Sequence, residues 1–265
     1  MQASSRDQPA NSLLAALPEA ARLKLTRDMT AVDLRLHEVL CEAGDRIFHV
    51  YFPIDATISL ITPGAGRALL EIGLVGDEGM LGVPLLLGVN VSPLRALVQG
   101  AGRAWRMDPA TFVNALDTVD GLRPALNRYL YVFLAQLVQT GACGRFHPVE
   151  ARLARWLLMT RDRAHSKQFK ITHEFLAYML GVRRVGVTSA ASALQRRNLI
   201  SYSRGNISLL DVRGLEAAAC ACYESDKKIY ARMLRPAGGG RRTARGGRMS
   251  ASALEPGPPP VLHYA

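Results

Sequence analysis

The chain has 265 residues, long enough for two domains that each bury a core, and its composition is that of an ordinary soluble protein. Its net charge of +11 and pI near 10.0 favour a polyanionic partner. The first residues lack a basic segment followed by an apolar run, and the most apolar stretch, residues 122–140, is interrupted by arginines and amides. These features argue against a signal peptide and a membrane span, so we expect a cytoplasmic protein without a membrane partner.

The first half of the chain predicts two short helices followed by many short strands. Residues 12–29 are amphipathic, with Pro18 expected at the first turn of a second helix. Between residues 31 and 106, short β-type runs are separated by breaks rich in glycine and proline. The runs comprise the alternating Val32, Leu34 and Leu36, and then residues 47–52, 57–62, 68–75 and 94–98. Such spacing predicts a compact antiparallel barrel or roll.

A long helix is predicted over residues 122–146, after a shorter one that begins with Asp108 as N-cap and Pro109 as first residue. Apolar residues recur in the long helix at spacings of four and three, the pattern of a coiled-coil seam. This seam comprises Leu126, Leu130, Phe133, Leu137 and Thr140, and beside it, free to pack on the roll, lie Tyr129, Val132 and Gln136. We interpret the seam as a dimer interface; the alternative is a helix simply buried in one domain.

His147 and Pro148 break the helical pattern and predict a hinge. A further amphipathic helix follows over residues 149–163. Its inward face is expected to hold Leu153, Trp156, Leu157 and Met159, and its exposed face Arg152, Arg155, Arg161 and Arg163. On the C-terminal side of residues 171–210, the sequence predicts a final helical segment over residues 212–234.

Residues 171–210 predict two short helices joined by a tight turn and followed by a hairpin. Apolar residues recur at helical spacing at Leu176, Met179 and Leu180 and again at Val187, Ala191 and Leu194. Ala177 allows close approach of the two helices, and Gly181 can take the positive φ of a sharp turn. The second helix places on its other side the polar residues Arg183, Arg184, Thr188, Ser189 and Ser192.

This is the layout of a DNA-binding helix-turn-helix, in which the second helix reads base edges in the major groove. Residues 200–202 and 207–209 alternate around the turn 203–206, which predicts a β-hairpin. A hairpin at this place makes a winged form, with Arg204 at the tip able to reach a phosphate. The alternative is a three-helix globular domain with a solvated basic face.

The four cysteines, Cys41, Cys143, Cys220 and Cys222, form no C-x-x-C pair, and no histidine is placed to complete a zinc site. We therefore expect no metal, and reduced thiols with ordinary packing or surface roles. Cys143 is the first to test, because it lies near the hinge. No Ser/His/Asp order, paired acids or phosphate loop indicates an enzyme.

The order of a roll, a long helix, a His-Pro hinge and a winged helix-turn-helix resembles the Crp/Fnr family of bacterial transcription regulators over residues 12–225. The resemblance is strongest in ITHEFLAYMLGVRRVGVTSAASALQRRNLI and visible in CEAGDRIFHVYFPIDATISLI and EIGLVGDEGMLGVPLLLG. It implies an α+β protein with an N-terminal antiparallel β-roll of the cyclic-nucleotide-binding type, a long dimerisation helix and a C-terminal winged helix-turn-helix. It further implies a homodimer that binds a pseudo-palindromic site in double-stranded DNA and acts with RNA polymerase.

Carried over by position, Arg184 matches the family arginine that contacts guanine near the start of the recognition helix. The family's adjacent acidic residue is Val185 here, and its later arginine is Ser189, so Arg183, Thr188 and Ser189 are expected to take over base reading. Thr172 and His173 match positions of candidate phosphate contacts, which position the protein without specifying sequence.

The sensor departs further from the family pattern. Cyclic-nucleotide binders use a glutamate for the ribose and an arginine for the phosphate. Arg95 and Ala96 match the arginine segment and form the possible effector pocket, but aligning Gly76 and Asp77 puts Leu81 at the glutamate position. Cyclic AMP is therefore not expected to bind. The iron–sulfur cysteine cluster is missing, and His37 and His49 are interpreted as strand or turn residues rather than haem ligands.

The resulting prediction is a β-roll sensor domain over residues 12–120, a dimerisation helix over 121–146, a winged helix-turn-helix domain over 147–235 and a disordered, Gly/Arg- and Pro-rich tail over 236–265. The predicted function is sequence-specific transcription regulation, and neither the effector nor a cofactor is identified. The alternative is a small-molecule signalling module that acts through a protein partner.

Overall fold

The computed structural model describes residues 11–63 and 69–234, so the predicted tail lies outside the described residues. The N-terminal half is a roll of two antiparallel sheets, as predicted. Its strands are β1 Thr30–Leu34, β2 Val39–Cys41, β3 Val50–Pro53, β4 Thr57–Pro63, β5 Leu69–Val75, β6 Arg95–Gly100 and β7 Gly102–Met107. One sheet has the order β1-β7-β3 and the other β2-β6-β4-β5. The sequence patterns missed β2 and β7 as separate strands.

Short helices close the two ends of the roll. They are α1 Ser12–Ala15, α2 Glu19–Arg27 and α3 Pro109–Thr118, and a 3-10 turn spans Val83–Leu87. The predicted start of α3 is confirmed, since the Asp108 side chain accepts a hydrogen bond from Thr111 N at 2.9 Å. Pro18 is the N-cap of α2 and not a residue of its first turn.

The long helix α4 spans Leu122–Phe146, as predicted. Its inner face packs on the roll: Tyr129 is 2% exposed and its hydroxyl donates to Met80 O at 3.3 Å. The predicted seam is wrong in part, because Leu126 and Phe133 are buried within the same chain, whereas Leu130, Leu137 and Thr140 are half-buried. Apart from Phe146 at its end, the large apolar residues that α4 leaves exposed are Tyr131, Leu134 and Val138, at 54%, 52% and 74% exposure.

This error has a simple cause. Both series, the predicted one and the exposed one, have spacings of three and four, so periodicity alone does not say which series faces the roll. The face of α4 that packs on the sheets is the one whose side chains offer the larger continuous apolar surface. The exposed series continues at either end as Asn127 and Gly141, and it forms a narrow apolar face about one residue out of phase with the predicted one.

After the predicted break at His147 and Pro148, the C-terminal half alternates helices with a small sheet. Its elements are α5 Val149–Ala164, β8 Gln168–Lys170, α6 His173–Leu180, α7 Arg184–Arg196, β9 Ile200–Ser203, β10 Asn206–Leu209, α8 Val212–Ala218 and α9 Ala221–Met233. Strand β10 lies between β8 and β9. The sequence patterns missed β8 and treated α8 and α9 as one helical region. Helix α9 folds back along α4.

Two of the arginines predicted to be exposed on α5 are buried. Arg155 and Arg163 are each 6% exposed. Arg155 pairs with Asp226 of α9 at 2.7 Å, and Arg163 pairs at the same distance with Glu78, which follows β5 in the roll. Burial of a guanidinium requires such a partner. Both partners are distant in sequence, which is why helical periodicity assigned these arginines to solvent.

A buried polar cluster joins α5 to the roll. Trp156 Nε1 donates to Glu71 Oε1 at 2.7 Å, and Gln99 Nε2 donates to Thr160 Oγ1 at 3.4 Å. Ser59 Oγ lies 2.6 Å from Glu71 Oε2 and 2.5 Å from Gln99 Oε1. The five side chains are at most 9% exposed, so their polar atoms depend on one another for hydrogen bonds.

Glu71 is expected to be protonated within this cluster below neutral pH. Burial raises its pKa to about 7, although hydrogen bonds from Ser59 and Trp156 oppose the rise. The Ser59 hydroxyl has one proton for two neighbouring oxygens. A protonated Glu71 removes this conflict, since it donates to Ser59 while Ser59 donates to Gln99.

We predict that Glu71→Gln flattens the dependence of stability on pH. A folded-state pKa raised to about 7 stabilises the fold at low pH, and this contribution is lost as pH rises from the unfolded-state value through 7, by at most about 3 kcal/mol. The amide keeps the hydrogen bonds and does not titrate. Thermal unfolding midpoints across this pH window measure the effect.

Asp33→Asn, at an exposed position of β1, is the matched control and should retain the wild-type pH profile. A Glu71→Gln profile that runs parallel to the wild-type profile would show that Glu71 keeps its ordinary pKa.

Candidate nucleic-acid interface

Helices α6 and α7 form the predicted helix-turn-helix. Gly181 ends α6 with φ 61°, in the left-handed region that favours glycine, and Val182 N donates to Ala177 O at 3.0 Å. The predicted apolar faces are confirmed, since their residues are all buried: Leu176, Met179, Leu180, Val187, Ala191 and Leu194. The turn therefore fixes α7 across α6 with its polar side outward.

The outward side of α7 carries most of the predicted base-reading residues. Arg183 is the N-cap and Arg184 the first helical residue, and both are exposed together with Thr188 and Ser189. Ser192, one turn further on, is half-buried. These residues cluster on the first two turns of the helix.

Val185 lies among these residues and is 72% exposed. Among the described residues its side chain is therefore largely uncovered, although an exposed valine needs no special explanation by itself. It supplies a methyl surface beside the two arginine side chains.

His173 connects the two helices and the wing. Its Nδ1 lies 3.0 Å from Thr188 Oγ1, and its ring stacks on Tyr202 with a centroid distance of 4.1 Å. Thr188 Oγ1 also donates to Arg184 O at 3.1 Å, so the Nδ1 proton of a neutral His173 completes the chain of hydrogen bonds. Burial, and then the charge of Arg184, lower the pKa of His173, which favours the neutral ring.

These contacts change what is expected of the predicted residues. The Thr188 hydroxyl is already engaged inside the protein, and His173 is only partly accessible. Thr172 is exposed as the N-cap of α6 and accepts from Phe175 N at 3.1 Å. Tyr202, which was not predicted as a site residue, positions His173. In the sequence, only the apolar alternation of the predicted hairpin pointed to Tyr202.

The wing is a three-stranded sheet with Arg204 at its tip. Arg204 has φ 49° and Gly205 φ 82°, which closes the two-residue turn between β9 and β10. Ile171 N donates to Gly205 O at 2.6 Å, so the tip is tied to the entry of α6. The exposed Arg204 side chain thus lies on the part of the wing next to Thr172.

Comparison with known proteins identifies this segment. Residues 151–218 match the family model described as a Crp-like helix-turn-helix domain. This chain carries a Crp-like helix-turn-helix domain. No curated protein sequence matches the chain.

Over about three quarters of the chain, the fold is similar to that of solved Crp/Fnr regulators. A Crp/Fnr-family regulator from Eubacterium rectale has 15% identity and a TM-score of 0.61, with 78% of this chain and 96% of the other covered. FixK2 from Bradyrhizobium japonicum has 14% identity and a TM-score of 0.62, with 73% of this chain and 98% of the other covered. A CRP-family regulator from Thermus thermophilus has 20% identity and a TM-score of 0.58, with 71% of this chain and 96% of the other covered. The predicted resemblance to the Crp/Fnr family is confirmed at the level of the fold and of the helix-turn-helix domain.

The Crp-like domain is seated on the roll through its own turn. A Cβ atom on Gly181 would lie 2.9 Å from Leu70 Cδ1 of β5, and the Arg152 side chain of α5 donates to Leu180 O at the end of α6. The turn that sets the angle of α7 therefore contacts both the roll and α5.

The roll holds an apolar cavity of about 330 Å³ against α4. Neither Arg95 nor Ala96, the predicted effector residues, lines it. Arg95 pairs with Glu42 at 3.5 Å, and Ala96 is fully buried within β6. Their neighbours Ser92, Pro93 and Leu94 line the cavity instead.

One expectation about the cysteines is wrong. The structure places His147 beside three of the four thiols, Cys143, Cys220 and Cys222, with their donor atoms within 4.8 Å of one another. Helix α9 makes this possible because it returns to the end of α4. The sequence patterns missed the group since its two halves are 77 residues apart. Among the described residues, no helix is both long and apolar enough to span a membrane.

We predict that Gly181→Ala destabilises the Crp-like domain by about 1–2 kcal/mol, because alanine is strained at positive φ and its Cβ would also displace Leu70. Gly186→Ala is the matched control: Gly186 lies within α7 with open space around it, so alanine should stabilise by up to about 1 kcal/mol. Denaturant unfolding measures both values. Equal effects of the two substitutions would contradict the assigned turn geometry.

Proposed function

We propose that the chain is a sequence-specific DNA-binding transcription regulator that binds a pseudo-palindromic site as a homodimer and acts with RNA polymerase. The exposed polar face at the start of α7 carries the proposal. It combines two arginines with small hydroxyl side chains, and the turn at Gly181 holds it at a fixed angle. An α-helix presented in this way fits the major groove.

Within this proposal, Arg184 reads a guanine by two hydrogen bonds to O6 and N7, the commonest specific base contact of arginine. Arg183 and Ser189 are the next readers, because they are exposed and the Thr188 hydroxyl is engaged with His173. Ser192 contributes at the edge of the face. Thr172 and Arg204 lie at the entry of α6 and the wing tip, where they bind backbone phosphates.

The exposed face of α4 supplies the dimer contact. Tyr131, Leu134 and Val138 recur at spacings of three and four on a helix of 25 residues, as in a two-helix coiled-coil contact. Two parallel copies of α4 would place two copies of α7 on the same side of the dimer. A two-fold symmetric site with half-sites about 10 bp apart follows from such an arrangement.

The sensor of this regulator does not bind cyclic AMP. The described lining of the cavity next to α4 contains no arginine, lysine or carboxylate, and a cyclic phosphate needs a cation and backbone donors. His49 is in the lining, and burial lowers its pKa, which favours the uncharged ring. Glu78, the acidic residue nearest to the expected ribose position in sequence, is bound to Arg163.

We predict that Arg184→Ala weakens binding to the selected site by about 1–3 kcal/mol and relaxes specificity at one base pair of each half-site. The site is first obtained by selection from genomic DNA, and affinities are then measured by fluorescence anisotropy on the site and its single-base variants. Arg27→Ala, at an exposed position of α2, removes the same charge from the roll and should leave the affinity nearly unchanged.

Arg204→Ala distinguishes a phosphate contact from a base contact. It should weaken binding to all sequences alike and lower the salt dependence of binding by about 0.9 on a log–log scale. A uniform loss for Arg184→Ala as well would contradict base reading by Arg184.

We predict that Leu134→Glu converts the dimer into a monomer, because a carboxylate would be buried in the apolar contact. Sedimentation velocity measures the change, and DNA affinity should fall with it. Leu23→Glu on α2 is the matched control, since Leu23 and Leu134 are both 52% exposed. A wild-type monomer, or a Leu134→Glu dimer, would rule out this face as the interface.

A further inference from the structure

Three thiols and an imidazole converge where α4 ends and α9 begins. Cys143 lies in the last turn of α4, and His147 follows four residues later as the C-cap, with His147 N donating to Cys143 O at 3.2 Å. Cys220 is the N-cap of α9 and Cys222 its second residue. Residues four apart share a helix face, so α4 presents its two ligands toward the start of α9.

The donor atoms have the spacing of a single tetrahedral metal site. Cys143 Sγ lies 3.4 Å from Cys220 Sγ, and Cys222 Sγ lies 3.4 Å from His147 Nδ1. All four donor atoms are within 4.8 Å of one another. Zinc–sulfur bonds of about 2.3 Å and zinc–nitrogen bonds of about 2.0–2.1 Å separate tetrahedral ligand atoms by about 3.6–3.8 Å. Changes of up to about 1 Å in the separations between donor atoms therefore complete the geometry.

The surroundings also suit an ion held by thiolates. Gln139 Nε2 donates to Cys222 Sγ at 2.8 Å, a second contact of the kind that orients metal ligands. Cys143 also lines a cavity of about 540 Å³ between α4, α5 and β5.

A disulfide between Cys143 and Cys220 accounts for less of the arrangement. It would use two of the four donors and leave the Cys222 thiol and His147 without a role. The donors converge on one point and do not surround a larger body, which favours one ion over a multi-iron cluster. Three cysteines and one histidine are a ligand set of structural zinc sites.

We propose that Cys143, His147, Cys220 and Cys222 bind one zinc ion, which ties the end of α4 to the connection leading into α5 and to α9. The ion holds the helix with the exposed apolar face to the segment that starts the Crp-like domain. Metal binding is measured on the protein alone, so this proposal can fail or hold independently of DNA binding.

Metal content and cobalt absorption of the full chain test the site. Protein prepared under reducing conditions should contain one zinc per chain, and replacement by Co²⁺ should give the visible d–d bands and sulfur-to-cobalt charge transfer of a tetrahedral thiolate site. Cys222→Ser and His147→Gln should lose at least tenfold in affinity. Cys41→Ser, which removes the one cysteine outside the group, should still bind one equivalent of zinc per chain.

Stability provides a second measurement. A zinc chelator should lower the unfolding midpoint of the wild type and of Cys41→Ser but leave that of Cys222→Ser unchanged, provided circular dichroism shows that Cys222→Ser is folded. The proposal is overturned if the reduced wild type takes up neither added Zn²⁺ nor Co²⁺ at one equivalent. It is also overturned if Cys222→Ser binds as tightly as the wild type, or if mapping finds a Cys143–Cys220 disulfide that excludes the metal.

Discussion

The buried polar contact between α5 and the roll determines how the two halves of this molecule are arranged. Glu71, Trp156 and their partners Ser59, Gln99 and Thr160 are removed from water and satisfy one another across the domain boundary. Separation of the domains would expose the apolar surfaces around them and leave these groups to water. The ion pair between Arg163 and Glu78 extends the same boundary. Because α5 also packs on α7, this boundary sets the angle of α7 relative to α4.

The distribution of charge follows from that boundary. Two of the arginines of α5 are neutralised inside the protein, so they add little to the field that a polyanion would meet. The exposed cations at Arg183, Arg184 and Arg204 lie instead around the turn and the wing, where they have space to approach a phosphate backbone. The buried, paired arginines therefore contribute to the fold, and the exposed arginines of the proposed DNA face are available to a partner.

Helix α4 has three functions along one length. Its inner face completes the core of the roll, and its outer face is the proposed dimer contact. Leu134 of that outer face also lines the apolar cavity, together with Leu130 and Phe133. Its last turn supplies Cys143 to the proposed zinc site. A ligand in the cavity or an ion at the end would act on the same helix. Such a helix can transmit a change from the roll to the Crp-like domain without a separate connecting element.

The sequence by itself determined the elements that depend on local patterns: the roll, the bounds of α4, the Asp108 cap, the turn at Gly181 and the two apolar faces of the helix-turn-helix. These follow from periodicity, capping and backbone preference within a few residues. The tertiary structure alone decided which face of α4 is buried, that Arg155 and Arg163 are internal, that Arg95 lies outside the cavity, and that His147 joins three cysteines. Each of these depends on a partner far away in the chain, and helical spacing is the same whichever face that partner covers.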